Sequence, residues 1–136
     1  MSNHLQAIVF DFTADFYIKI QHILDNSIDM KLPSTSRGWK IPVDVYENAD
    51  NLVFVVDVAG VKRDALQLTI NEASVQFVGY RGPTCWQTPG FYHRMEIPTG
   101  HFNRTFRLPL KIWPEKGRAK IVDGMLYLVL PKQEQP

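Results

Sequence analysis

The sequence predicts an all-β sandwich that carries a helical N-terminal arm. Apolar and polar residues alternate over two segments near the C-terminus, and short segments rich in β-branched residues, separated by turn residues, fill the chain before them. Ahead of these segments, apolar residues recur every three or four positions between residues 5 and 24, which is helical spacing. With 136 residues, of which 45% are hydrophobic, the chain is long enough for one domain and an appendage.

The arm is expected to hold an amphipathic helix, since Asp11, Asp15 and Lys19 fall opposite the apolar positions. A helix of this kind must bury its apolar stripe against something outside itself. Residues 31–38 are polar and rich in helix breakers, which predicts a linker. The stripe consists of Leu5, Ile8, Val9, Phe12, Phe16, Ile20, Ile23 and Leu24.

After the linker, short strands with brief connections are expected in a domain that spans residues 39–132. A short tail follows at 133–136. The run at 52–58 is almost continuously apolar and β-branched, as in a buried strand. Residues 81–93 contain several Gly and Pro residues and predict a long loop or an edge strand. The other strands of this half are expected at 43–46, 66–70 and 75–80.

The two most regular strand patterns lie at 100–109 and 119–132. In the first, Phe102 and Phe106 share a face, and in the second an alternating leucine run follows Asp123-Gly124, a pair that favours positive φ. Each pattern ends at a proline, which cannot donate to a sheet ladder. Seven or eight short strands at such spacing predict a sandwich.

Charge and cysteine content exclude several function classes. The 15 basic and 14 acidic residues are scattered, so no basic stripe for nucleic acid is present. The single cysteine, Cys85, allows no internal disulfide and agrees with a reducing compartment. Residues 1–30 carry four aspartates and one lysine, so we expect neither a secretory signal nor a membrane span, and we expect a cytoplasmic protein.

Catalytic and metal chemistry has little support in the sequence. His4, His22, His93 and His101 lack ligand spacing, and Cys85 does not complete a zinc site with them. Cys85 with His93 as its base is a formal nucleophile pair, but no helix N-terminus precedes the cysteine to activate it. No glycine-rich phosphate loop is present either. We therefore predict no enzymatic activity, no cofactor and no metal.

Residues 39–132 resemble the alpha-crystallin domain of small heat-shock proteins, the Hsp20 family. The resemblance is carried by five motifs in the family's order: Val-Asp-Val-Tyr-Glu at 43–47, Asp-Val-Ala-Gly-Val at 57–61, Tyr-His-Arg-Met-Glu at 92–96, and the two strand patterns. It implies an immunoglobulin-like antiparallel sandwich that forms a homodimer, and an ATP-independent holdase that binds unfolding client proteins. A co-chaperone-type module that binds a defined folded partner is the alternative, and a hydrolase built around Cys85 is a more distant one.

The resemblance also implies a dimer made by strand exchange, in which the segment at 91–94 pairs with the partner's sheet edge near its first strand. Arg104 shares the face of Phe102 and Phe106, and a buried arginine needs a carboxylate, for which we expect Glu96. Alternatively, a bulge or the rim of the sheet lets Arg104 reach water. The interface residues expected are Trp39, Ile41, Phe91, Tyr92, His93, Arg94, Glu96 and Arg104.

Two client surfaces are expected, and the resemblance implies the first of them. Leu66, Leu68, Ile70 and Ile121 would line the family's groove between sheet edges, or would belong to the ordinary core. Since residues 133–136 hold no aliphatic residue, we expect the groove to stay open to client segments rather than to hold a tail. The apolar stripe of the arm is the other surface, either for clients or for packing in a higher oligomer.

Overall fold

Two four-stranded sheets make up the part of the chain that the structure, a computed structural model, describes: residues 20–22, 38–85 and 90–133. One sheet has the strand order β1-β4-β5-β6 and the other β2-β3-β8-β7. The strands are β1 Ile20–His22, β2 Val43–Glu47, β3 Asn51–Asp57, β4 Val61–Ile70, β5 Ser74–Arg81, β6 Gly100–Arg107, β7 Arg118–Val122 and β8 Met125–Pro131. A 3₁₀ turn at Pro114–Lys116 precedes β7. The predicted all-β sandwich is confirmed.

The β2-β3-β8-β7 sheet is antiparallel throughout, and its register follows the leucine alternation. Leu126, Leu128 and Leu130 of β8 are all fully buried, while the residues between them are half-buried. Asp123 and Gly124 form the β7–β8 turn with φ of 52° and 79°, so the predicted positive-φ turn is confirmed.

In the other sheet, β4, β5 and β6 are antiparallel neighbours, and the β4–β5 register shifts between Val61 and Leu66. Gly79 of β5 lies where the sheet leaves no room for a side chain. A Cβ at this position would lie 2.4 Å from the Phe102 ring and 2.6 Å from the Ala65 carbonyl oxygen. Glycine is therefore required by packing rather than by backbone torsion.

The core lies between the two sheets and is centred on aromatic rings. Phe54 of β3, Phe77 of β5 and Phe106 of β6 pack with ring centroids 5.6 to 6.1 Å apart. Phe54 and Phe77 are fully buried, as are the aliphatic side chains that surround them from both sheets. Burying each such side chain contributes on the order of 1.5–3 kcal/mol, and this contribution holds the two layers together.

The expected N-terminal helix is wrong at residues 20–22, which form strand β1 instead. β1 lies parallel to β4, with Ile20, Gln21 and His22 opposite Leu68, Thr69 and Ile70. The edge of β4 offers backbone N–H and C=O groups for pairing, and this tertiary pairing outweighs the helical spacing of the local sequence. The rest of the predicted helix lies outside the described residues.

Candidate interaction site

The loop between β5 and β6 carries exposed apolar side chains. Within the described segments 82–85 and 90–99 it forms no strand. Phe91 is 86% exposed and Met95 is 63% exposed. The Phe91 ring stacks on His93 at 5.7 Å, and the Tyr92 hydroxyl is 2.9 Å from the Thr84 hydroxyl. These contacts stay within the loop and leave apolar surface in solvent.

Glu96 lies in the same loop and forms an ion pair with a neighbour. Its carboxylate is 2.8 Å from Nη1 of Arg94, and both side chains are largely exposed. An exposed pair of this kind contributes little to stability, because water screens both charges. Within one chain, the carboxylate that we expected beside Arg104 thus contacts Arg94.

Arg104 lies on the core-facing side of β6 but at the rim of the sandwich, where it is half-buried. Its Nη1 donates to the carbonyl oxygen of Ile41 at 2.9 Å, and its guanidinium lies 4.6 Å from the centre of the Phe106 ring. The arginine therefore packs on an aromatic face, ties the segment before β2 to β6, and keeps part of its surface accessible.

Trp39 and Ile41, which we expected at the interface, both contact their own domain. Ile41 is fully buried in the core, so its side chain is not available to a partner. Trp39 is half-buried, and its ring meets Phe102 edge-on at 5.6 Å. Its backbone N–H donates to the His101 carbonyl, and its indole N–H donates to the Gly100 carbonyl.

Arg81 is a site residue that the sequence interpretation missed. It ends β5, is only 8% exposed, and its guanidinium lies 4.4 Å from the centre of the Trp39 ring. Its Nε donates to the Ala59 carbonyl at 2.9 Å, and its Nη1 donates to the Pro98 carbonyl at 3.1 Å. Arg81, the last residue before the exposed loop, thereby ties Ala59 to Pro98, which lies near the end of that loop. The sequence signal that could have revealed this burial is the two-residue alternation of β5, because Arg81 falls on the same strand face as Phe77 and Gly79.

The four groove candidates lie in or against the core. Leu66, Leu68 and Ile70 are buried in the central cluster, and Ile121 is half-buried against it. Of the two interpretations left open by the sequence, the structure gives direct contacts only for the core interpretation. Except for Ile20, whose backbone pairs with Leu68, the apolar positions of the arm lie outside the described residues.

Strand β2 forms an edge of its sheet and carries exposed apolar side chains. Its only neighbour among the described strands is β3, so the opposite edge of β2 is open. Val45 and Tyr46 on this strand are 40% and 52% exposed. An open edge with apolar side chains is a surface that favours pairing with another polypeptide.

Among residues 20–22, 38–85 and 90–133, no group of three or more His, Cys, Asp or Glu is placed to hold a metal ion. Cys85 is exposed in the loop. No helix among the described residues is long and apolar enough to cross a membrane.

Together these features define a β-sandwich whose strands β2 to β8 pair antiparallel, with an exposed apolar loop and an open edge strand. Residues 44–136 match the Hsp20/alpha crystallin family. Because the match spans more than half of the chain, the chain belongs to this family, as the five motifs predicted.

Relatives and solved structures agree with this assignment. Over 93 residues the chain is 32% identical to an 18.1 kDa class I heat shock protein of Oryza sativa subsp. japonica, covering 68% of this chain and 58% of the rice protein. Over 97 residues it is 38% identical to a 17.7 kDa class II heat shock protein of Arabidopsis thaliana, covering 70% of this chain and 62% of that protein. Both matches span less than two thirds of the relative's length. The structure of heat shock protein 16.0 from Schizosaccharomyces pombe superposes with a TM-score of 0.65 at 27% identity, covering 72% of this chain and 91% of that chain.

Proposed function

We propose that the protein is a molecular chaperone of the small heat-shock type, which binds partly unfolded proteins without ATP and prevents their aggregation under stress. Family membership over residues 44–136 carries this proposal. The exposed side chains of Met95 and Ile97, which follow the segment at 91–94, support it, because unfolding proteins expose apolar segments that such surfaces bind. The family match gives no support to the co-chaperone alternative.

The mechanism is competition for exposed apolar surface. A partly unfolded client aggregates when its apolar segments meet those of another client molecule. A chaperone that binds the unfolded form lowers the free concentration of that form by mass action. No reaction is required, so the amount of client protected follows the amount of chaperone rather than time or ATP.

The chaperone unit is a homodimer made by strand exchange. The segment at 91–94 pairs with the open edge of β2 in the partner, and the partner's segment returns the same contact, which closes the dimer and covers both edges. Exposed Phe91 on one side and exposed Val45 and Tyr46 on the other support this pairing. In the dimer, the half-exposed guanidinium of Arg104 and the carboxylate of Glu96 pair across or beside the interface. The N-terminal arm extends the dimer to higher oligomers or adds client surface.

Light scattering from a heat-labile enzyme tests the holdase activity. At near-stoichiometric ratios and without ATP, we expect the protein to suppress most of the scattering, and added ATP to change nothing. An equal mass of an unrelated β-sandwich protein is the control. Scattering as strong as that measured with the control protein would contradict the proposal.

A further inference from the structure

The outward face of the β4-β5-β6 sheet carries two polar side chains that are almost fully buried. Thr69 of β4 and Gln76 of β5 lie directly opposite each other and are 3% and 5% exposed. Leu68 and Phe77 beside them face the core, so alternation along each strand points the two polar side chains away from it. The second sheet packs on the core side and does not cover them. Their burial therefore calls for a cover on the outward side.

The burial on this face follows an oblique band. In the row next to the two buried residues, Val78 and Asn103 are half-buried. Gln67 of β4 and Thr105 of β6, which lie at the corners on either side of this line, are exposed. The band runs from the end of β4 at the β4–β5 turn towards the start of β6. A broad cover would bury both corners as well, so the pattern fits one narrow segment of chain.

The two ends of residues 23–37 are attached at the two ends of this band. His22, the last residue of β1, pairs with Ile70 at the end of β4. Trp39 donates its backbone N–H to the carbonyl oxygen of His101 at the start of β6. The shortest connection between these points crosses the outward face from β4 to β6 along the band.

Chain length favours this path over the alternative. Along the sheet, three strand spacings and five residues separate His22 from His101, which is about 22 Å. The 17 residue steps from His22 to Trp39 reach about 55 Å when fully extended. A path round the second sheet adds the sheet separation of about 10 Å and a side-chain layer in each direction, which makes about 50 Å in total. That path requires an almost fully extended chain, whereas the path over the outward face leaves slack.

The chemistry of the face suits a polar segment better than an apolar helix. Nε2 of Gln76 donates to Oδ1 of Asn103 at 2.9 Å, and each amide has further donor and acceptor positions. Buried amides need hydrogen-bond partners, which an extended backbone supplies and an apolar surface does not. Residues 25–37 are mostly polar, and Pro33 disfavours a helix at the residue before it. The apolar stripe predicted for the arm is a poorer match to this face.

We propose that residues 23–37 cross the outward face of the β4-β5-β6 sheet of their own chain and cover Thr69 and Gln76. The segment that the sequence predicts to be a linker is then a fixed part of the domain surface, and it determines where the arm leaves the sandwich. Because the chain itself occupies this face, partner proteins bind elsewhere on the domain. The proposal does not depend on the holdase activity, since its tests omit client proteins.

Photocross-linking identifies the segment that covers the face. The photoreactive residue p-benzoylphenylalanine replaces Gln67 or Thr105, the exposed corners beside the band, in the full chain. The matched control places it at Tyr127, which alternates with buried leucines and points outward from the second sheet. Chains labelled with ¹⁴N and with ¹⁵N are mixed and allowed to exchange before irradiation, and mass spectrometry locates the cross-links.

We expect both corner positions to cross-link to residues 23–37 of the same isotope. Position 127 should give at most ~10% of that yield, because the segment is tethered to the first sheet at both ends. Cross-links to residues 1–19 would assign the face to the arm, and cross-links of mixed isotope would assign it to a second copy. Either result would overturn the proposal, as would the absence of cross-links to residues 23–37.

Cysteine alkylation tests whether the face is covered in solution. Gln76→Cys and, as the control from the same row, Thr105→Cys are each introduced with Cys85→Ser, and iodoacetamide is the probe. We expect the thiol at position 76 to react at least ~10-fold more slowly than the thiol at position 105, because alkylation requires an accessible thiolate. In urea, where both variants are unfolded, the two rates should be equal. Equal rates in the folded proteins would show an uncovered face and overturn the proposal.

Discussion

The guanidinium of Arg81 lies 4.4 Å from the centre of the Trp39 ring and is almost fully buried. Its Nε and Nη1 donate to the carbonyl oxygens of Ala59 and Pro98. One side chain thus holds the β3–β4 turn, the end of the β5–β6 loop and the start of the domain together.

We expect Arg81→Ala to lower the free energy of unfolding by about 2–4 kcal/mol, because it removes a buried guanidinium and leaves two carbonyl groups without that donor. Urea unfolding of the full chain measures this. Arg107→Ala, at an exposed position on β6, is the control and should change stability by less than about 0.5 kcal/mol. If the two substitutions lowered the free energy of unfolding equally, the structural role assigned to Arg81 would be contradicted.

Gly79→Ala is expected to destabilise the sandwich by about 2–4 kcal/mol, because the new Cβ would collide with the Phe102 ring and with backbone. Gly82→Ala is the matched control, since the nearest atom to its Cβ would be 3.8 Å away on Tyr80. Thermal unfolding of both variants gives the comparison. A Gly79→Ala protein as stable as Gly82→Ala would contradict the packing described for β5 and β6.

The strand positions could be predicted because local pattern and tertiary packing agree there. Leu126, Leu128 and Leu130 alternate, face the core and are buried, and Asp123-Gly124 turns the chain as its residue types predict. Where pairing with a distant strand determines the secondary structure, the local sequence pattern predicts the wrong element. Ile20 fits a helical stripe, yet its backbone pairs with β4. The local pattern could not predict this strand, because the partner edge is distant in sequence.

Some properties of the site residues also follow from the local sequence, whereas others depend on contacts between residues far apart in sequence. Exposure of Phe91 follows from a loop rich in Gly and Pro, which the sequence reveals. Burial of Ile41 and the contact of Arg81 with Trp39 depend on how residues far apart in sequence meet. Parity indicates which face an arginine occupies, but it cannot say whether a carboxylate, a carbonyl oxygen or an aromatic ring lies there.

Phe91→Asp is expected to dissociate the proposed dimer while leaving the fold intact, because Phe91 is 86% exposed in its own chain, where it stacks on His93, and would lose its apolar contact with the partner's β2. Sedimentation of the variant over a range of concentrations measures the dissociation constant, which should rise at least ~10-fold. Val122→Asp, another exposed apolar position, is the control. If both variants dimerise like the wild type, the loop is not the dimer contact.

Arg104 and Glu96 are expected to be energetically coupled in the dimer. Single and double alanine substitutions at these positions form a cycle, and we expect a coupling of about 1 kcal/mol or more in the dimer dissociation constant. A parallel cycle for Arg94 and Glu96, the exposed pair within one loop, should give no more than about 0.5 kcal/mol. Additive effects of Arg104→Ala and Glu96→Ala would exclude the proposed pair.

The most direct test of the chaperone proposal is to isolate the complex with a client. A heat-labile enzyme is heated with the full-length protein without ATP, cooled, and separated by size-exclusion chromatography with mass detection. The account predicts that the client stays in solution and elutes together with the protein at a mass above that of either alone. A client that pellets as it does by itself, or that stays in solution but elutes apart from the protein, would contradict the account.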